Sequence, residues 1–219
     1  MLKITVLPVT AFQQNCTLVV CDQTNQAALT DPGGDIEYIK KQLTASGATL
    51  TKILLTHGHL DHCAAARVIA DTYNVPIEGP HIADDFWIQQ LPSHSEHYGM
   101  PHWGTFSPNR WLNGGDTVQI GNTVLEVIHC PGHTPGHVVF FAKEQGIAWV
   151  GDVIFAGSIG RTDFPRGVHA DLIHSIRHKL FPLGDDIEFY CGHGDNSTFG
   201  RERLSNPHVA DHLFKSLKI

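Results

Sequence analysis

The chain has 219 residues, is 42% hydrophobic and carries a formal net charge of −7, which supplies the apolar material for one well-buried domain spanning 1–219. No run of Lys or Arg exceeds two residues, so the basic stripe of a nucleic-acid binder is missing. The first residues lack a signal-peptide pattern and no apolar stretch approaches the roughly 20 residues of a membrane span, so a cytoplasmic protein with neither a membrane nor a nucleic-acid partner is expected.

The β-branched runs Ile4–Val9 and Cys16–Cys21 flank a polar bend and predict a hairpin, continued by a strand over Ala27–Asp31. The Asp31-Pro32-Gly33-Gly34-Asp35 stretch supplies turn chemistry and a helix cap, after which Ile36, Ile39 and Leu43 recur at helical spacing up to Gly47. Lys52–Thr56 reads as a strand running into His57-Gly58-His59, and Leu60–Thr72 as a helix. Leu91–Arg110 is loop-like. Four strand-like runs follow, at Thr117–Ile120, Thr123–Ile128, Val138–Ala142 and Ile147–Val150. Asp171–Phe181 is a helix candidate, Ile187–Cys191 a last strand and Pro207–Leu217 a closing helix. Two batches of strands, each mixed with helices, suggest two packed sheets with helices outside, an α/β chain of α+β type.

The five cysteines are odd in number and show no CxxC spacing, which argues against a disulfide framework and a thiolate zinc site. The sixteen histidines are more informative, because neutral imidazole is the commonest metal ligand. In Thr56-His57-Gly58-His59-Leu60-Asp61-His62, His57 and His59 are two apart in an extended stretch, so both rings project to one side, and Gly58 allows a tight bend between them. Asp61 and His62 fall at the start of the next helix, where free amides favour a carboxylate. Three later segments also sit just past strand ends: Cys130 to His137 with His133 in a Pro/Gly turn, Gly151-Asp152, and Cys191-Gly192-His193-Gly194. Ligands gathered at one rim from distant parts of the chain are what a rigid catalytic metal site requires.

These residues are assigned as follows: His57, His59 and His133 to one ion; Asp61, His62 and His193 to a second; Asp152 bridging both. Two such cations about 3.5–4 Å apart lower the pKa of a shared water from about 15.7 to about 7, giving a bridging hydroxide as nucleophile. Asp61 and Asp152 are then the catalytic carboxylates. Closed structural zinc sites use four ligands, usually including Cys, so seven N/O donors point to catalysis instead. His129 and His137 are read as turn or core residues. The aromatic-rich stretch from Phe86 to Trp111 suits either a wall over the site or the underside of a surface loop, and no role is assigned to it.

Together these segments resemble the metallo-β-lactamase superfamily, from the first hairpin to His193. The resemblance implies a four-layer αββα sandwich of two mixed β-sheets flanked by helices, with the metals at one edge. His62 after Asp61, and Asp152 as bridge, are similar to the glyoxalase II arrangement and not to lactamases with a Cys ligand. Gly157-Ser158-Ile159-Gly160-Arg161-Thr162-Asp163-Phe164 is similar to the substrate loop of glyoxalase II-like enzymes and to the GRTDF stretch of persulfide dioxygenases, both acting on glutathione-linked substrates. By that likeness Arg161 meets an anionic end of the substrate. Only 26 residues follow His193, whereas typical glyoxalase II enzymes continue into a helical domain with glutathione contacts; shorter bacterial members fit better.

The resemblance implies hydrolysis of a small-molecule thioester such as S-lactoylglutathione, hence methylglyoxal detoxification, with two divalent metal ions, zinc first and iron or manganese also accepted. Its rival is a mononuclear iron persulfide dioxygenase acting on glutathione persulfide, with His57, His133 and Asp152 around Fe(II).

Overall fold

The computed structural model describes residues 1–217. Its opening hairpin pairs β1 (Leu2–Val9) with β2 (Gln14–Cys21), Leu2 opposite Cys21 and Val9 opposite Gln14. β2 is buried at almost every position, which its apolar and β-branched side chains tolerate because a layer lies on each face. Next come β3 (Gln26–Thr30) and, parallel to it, β4 (Thr49–Leu54) and β5 (Ile77–Glu78), completing a five-stranded sheet in chain order. Parallel neighbours need crossovers. These are α1 (Ile36–Ser46) between β3 and β4, then α2 (Leu60–Cys63) and α3 (Ala66–Tyr73) between β4 and β5.

After α4 (Asp85–Ile88) and α5 (Leu91–His97), the chain builds a second sheet from β6 (Thr117–Ile120), β7 (Thr123–His129), β8 (Val138–Ala142) and β9 (Ile147–Gly151). A small hairpin, β10 (Ile154–Phe155) and β11 (Ser158–Ile159), precedes α6 (His169–Ser175). β12 (Glu188–Cys191), β13 (Ser197–Thr198) and α7 (Phe199–Ser205) complete the order β13-β12-β9-β8-β7-β6.

Alternation along β8 shows how the layers stack. Val138, Phe140 and Ala142 join Val19, Ala28 and Leu54 of the first sheet in the inter-sheet core, while Val139 and Phe141 face Leu172 and Ile176 beneath the outer helices. On the other side, Ile39, Leu43 and Ile69 of α1 and α3 cover the first sheet. The result is the expected αββα sandwich of two mixed sheets. No helix among the described residues is long and apolar enough to cross a membrane.

The differences from the sequence reading have local causes. Leu91–Arg110 is not all loop, because α5 occupies Leu91–His97; only Leu91 and Ser95 of it are buried, so it shows no apolar stripe, and Pro92 suits a helix start. The Leu60–Thr72 helix is broken into α2 and α3. α6 passes into a π-helical turn over Ile176–Leu180. The closing segment has α7 earlier than anticipated and a 3-10 stretch over Asp211–Leu217. Asp35 does not cap α1 through its side chain; that carboxylate accepts from the Thr10 amide at 2.7 Å.

Strand direction positions the site. β3, β4 and β5 run the same way, as do β9 and β12, and β7, two antiparallel steps from β9, shares their direction. Hydrogen bonds Val138 N to Thr56 O (2.8 Å) and Asn15 N to Gly192 O (2.7 Å) staple the two sheets at this rim. Phe140 is fully buried in the inter-sheet layer, so Phe140→Ala at equal metal loading should lower unfolding free energy by about 3–5 kcal/mol in urea titration. A loss below about 1 kcal/mol would mean the layer is not close-packed.

Candidate metal centre

The HxHxDH segment leaves β4 in an extended conformation and turns into α2, with His59 at φ −69°, ψ 149°. This presents His57 and His59 to one side, with His57 Nε2 3.1 Å from His59 Nδ1. His133, from the turn after β7, brings its Nε2 to 3.0 Å from the same His59 nitrogen. These three side chains form one cluster of ligand atoms, and Asp61, His62 and His193 form another. In the second, His193 Nε2 lies 3.3 Å and His62 Nε2 3.8 Å from Asp61 Oδ2. Asp152, just past β9, lies between the clusters: Oδ1 is 3.3 Å from His62 Nε2, and Oδ2 is 3.6 Å from His133 Nε2 and 3.7 Å from His193 Nε2. All seven side chains singled out in the sequence therefore meet at one rim.

The outer nitrogens of four rings are held by the protein. Thr56 Oγ1 donates its only proton to Asp31 Oδ2 at 2.6 Å, so at 3.0 Å from His57 Nδ1 it accepts. His62 Nδ1 donates to Asp31 Oδ2 at 3.1 Å, His133 Nδ1 to Arg161 O at 2.7 Å and His193 Nδ1 to Phe12 O at 3.2 Å. Each bond fixes the ring and turns Nε2 inward, as outer acceptors do for metal-ligating histidines.

The inner faces fit a cation. With His57 and His133 presenting lone pairs, a single proton on His59 Nδ1 satisfies one of them and leaves the other facing nitrogen. Buried His62 Nε2 and Asp152 Oδ1 have no partner but each other, at 3.3 Å, which leaves the carboxylate oxygen with unused acceptor capacity away from water. Burial, reinforced by neighbouring imidazoles, pushes His57 and His59 well below the ordinary histidine range, and burial also lowers His133, so these rings are neutral donors. Burial works against charge on His62, yet Asp152 and Asp61 hold it well above the ordinary value. Asp152 is likewise held far below the usual carboxylate range, the charge of His62 prevailing over burial. Gly192 leaves room for these two groups: a Cβ there would fall 2.0 Å from Asp152 Oδ1 and 2.6 Å from His62 Cε1.

Several supporting residues escaped the sequence reading. Asp31, taken as turn chemistry, is buried at φ 52° and accepts from the Thr56 amide at 2.7 Å as well as from Thr56 Oγ1 and His62. It follows β3 directly, so the same rule of polar residues past strand ends applies to it. Asp84 accepts from Gly58 N (2.9 Å), Thr134 Oγ1 (2.7 Å) and Gly136 N (2.5 Å), lashing the HxH loop to the His133 turn. Gly58 is needed for this close approach and not for a bend, since a Cβ there would meet Asp84 O and Trp87 Cβ at 2.9 Å. His137 is a core residue, as read, but one that accepts from the Asp152 amide at 3.1 Å and stacks on His57 at 4.7 Å.

Above the donors opens a cavity of about 900 Å³. The stretch left without a role lines it: Trp87 packs edge-on against His59 at 4.5 Å, and His94 and Tyr98 extend the wall. Phe164 faces His59 from the 157–164 loop at 4.9 Å. Arg161 also lines the cavity, with its guanidinium bound at both Nε and Nη2 by Asp163 at 2.6 Å.

Residues 9–193 match the family described as the Metallo-beta-lactamase superfamily. The hydroxyacylglutathione hydrolase GloC of Haemophilus influenzae is 45% identical over 207 residues, covering 94% of this chain and 97% of that protein. Among solved structures, the BLEG-1 B3 metallo-beta-lactamase superposes with a TM-score of 0.85 at 33% identity, covering 94% of this chain and 98% of the other. TTHA1623, solved in a di-iron-bound form, also gives 0.85, at 29% identity with 94% and 100% covered.

Because Asp31 fixes the His62 ring directly and the His57 ring through Thr56, Asp31→Ala should weaken divalent-metal binding by about 10–100-fold in chelator competition while the chain stays folded by far-UV circular dichroism. Unchanged affinity in the folded variant would remove Asp31 from the support of the site.

Proposed function

This chain belongs to the metallo-β-lactamase superfamily, and from that premise we propose that it is a binuclear metal-dependent hydrolase of hydroxyacyl thioesters such as S-lactoylglutathione. The observation that carries the reading is the pair of donor clusters joined by Asp152 at the floor of a cavity large enough for a small molecule. In this reading His57, His59 and His133 would hold one cation, Asp61, His62 and His193 would hold the other, and Asp152 would serve both. Such ions supply Lewis-acid polarisation of a carbonyl and activation of water at neutral pH.

The chain's own residues do the rest. Asp61 lines the cavity, so its carboxylate can accept a hydrogen bond from an entering water and orient it towards the thioester carbon. Attack forms the new carbon–oxygen bond and breaks the carbon–sulfur bond, giving a carboxylic acid and a departing thiolate that takes up the proton released by the water. With a parent pKa near about 8.5 the thiolate departs without a dedicated acid, which favours thioesters over amides. Trp87 and Phe164 against His59 keep water off one side of the site and strengthen its electrostatics.

Nitrogen and oxygen donors accept zinc, iron and manganese alike; we take zinc as the first candidate, and the di-iron form of TTHA1623 supports iron as an alternative. The acidic balance and absence of a basic run support a small-molecule partner and not a nucleic acid. The alternative, a mononuclear iron persulfide dioxygenase, would use His57, His133 and Asp152 of the same site and is separated from the hydrolase by its need for oxygen.

Purified metal-loaded protein should cleave S-lactoylglutathione anaerobically, and Asp152→Ala should abolish that cleavage and lower metal content per chain by elemental analysis. Full activity in the variant, or oxygen uptake with glutathione persulfide in place of thioester cleavage, would overturn the proposal. Stripping the metal with a chelator should silence the enzyme, and re-addition of zinc, iron or manganese should restore it.

A further inference from the structure

Cationic side chains are scarce on the walls of the cavity. The glutathione tripeptide carries two carboxylates and one ammonium, and a guanidinium or ammonium gives the strongest hold on a carboxylate. Among the described residues lining the cavity, Arg161 is the sole Lys or Arg. That guanidinium is already engaged: Nε and Nη2 each donate to Asp163 at 2.6 Å, and its plane lies 4.3 Å over the Phe164 ring. One edge of the Arg fork is thus occupied by a carboxylate of the protein itself, and an incoming carboxylate must displace Asp163 or use the remaining donors.

What the cavity offers in abundance is aromatic surface, on both sides of the donor clusters. Trp87 and Phe164 stand edge-on to each other at 6.0 Å and both contact His59. Across the site Phe155 lies 6.2 Å from His193, and Phe12 meets Tyr98 edge-on at 5.8 Å. Such rings favour a flat apolar group through offset or edge contacts and do little for carboxylates.

We propose that this cavity selects its thioester by a flat apolar body and not by the carboxylates of glutathione: its preferred substrates are 2-hydroxyacyl thioesters with an aromatic acyl group, on thiols that need carry no carboxylate, and Asp163 sets this preference by holding Arg161. The inference rests on the thioester reading of the site. Its covalent step is the same hydrolysis, with water adding to the acyl carbon and the thiolate leaving, so nothing else is consumed.

The test uses metal-loaded, full-length protein and four thioesters: lactoyl and 3-phenyllactoyl esters of glutathione and of N-acetylcysteamine, whose thiol arm is uncharged. In the wild type, exchanging glutathione for N-acetylcysteamine should change kcat/KM by less than about tenfold, and adding the phenyl ring should raise it by at least about threefold. Asp163→Asn should lower the ratio of the glutathione KM to the N-acetylcysteamine KM by at least about threefold, and Arg161→Gln added to it should cancel that gain. A preference for glutathione above about tenfold, or no gain from the phenyl ring, overturns the proposed selectivity. An unmoved KM ratio in Asp163→Asn overturns the role of Asp163. Cleavage of none of the four esters overturns the thioester reading itself, which is a separate outcome from glutathione being strongly preferred.

Discussion

The constraint on which this molecule turns is the crowding of imidazole lone pairs. His59 Nδ1 lies 3.1 Å from His57 Nε2 and 3.0 Å from His133 Nε2, while the far nitrogens of His57 and His133 are committed to Thr56 Oγ1 and the Arg161 carbonyl. No placement of protons satisfies all three inner nitrogens at once, whereas a single cation does so at the neutral charge that burial imposes on these rings. The second cluster solves the complementary problem. Asp152 and Asp61 hold His62 well above the ordinary histidine value, so a divalent ion bound there would have to replace its proton and would neutralise both carboxylates in its place.

Holding such a cluster together requires a stiff frame, and the frame comes from strand direction. β3, β4, β7, β9 and β12 all end at one rim, and their first residues beyond the ladder supply Asp31, the HxHxDH segment, His133, Asp152 and His193. The rim is locked by polar groups that serve two masters. Asp31 ties β3 to Thr56 and His62, and Asp84 ties the HxH loop to the turn bearing His133. Fixing ligands on strand ends, with their far atoms hydrogen-bonded, limits the reorganisation needed when metal or substrate arrives.

Much of this is legible in the residue pattern because the candidate ligands fall in compact, Gly-flanked segments after apolar runs. HxHxDH, Gly-His133, Gly-Asp152 and Gly-His193 each announce a polar residue where a strand has just stopped, and the layered fold follows from strands buried on both faces, as β8 shows with Phe140 and Phe141 pointing oppositely. What stayed hidden were residues whose role is defined only by distant partners. Asp31 looks like any Asp-Pro-Gly turn until Thr56 and His62 are beside it, and α5 carries too few apolar residues to show a helical period. The cavity wall from Trp87 to Tyr98 was equally unreadable as a wall, since an aromatic facing a core and one facing a ligand leave the same pattern. Arg161 stands out in its motif, but its capture by Asp163 two residues on does not.

Anomalous diffraction from metal-loaded crystals, collected on either side of the absorption edge of the bound metal, is the most direct examination of this account. Two peaks per chain are expected, one among His57, His59 and His133 and one among Asp61, His62 and His193, with the Asp152 carboxylate between them. A single peak, or peaks away from these side chains, would contradict it.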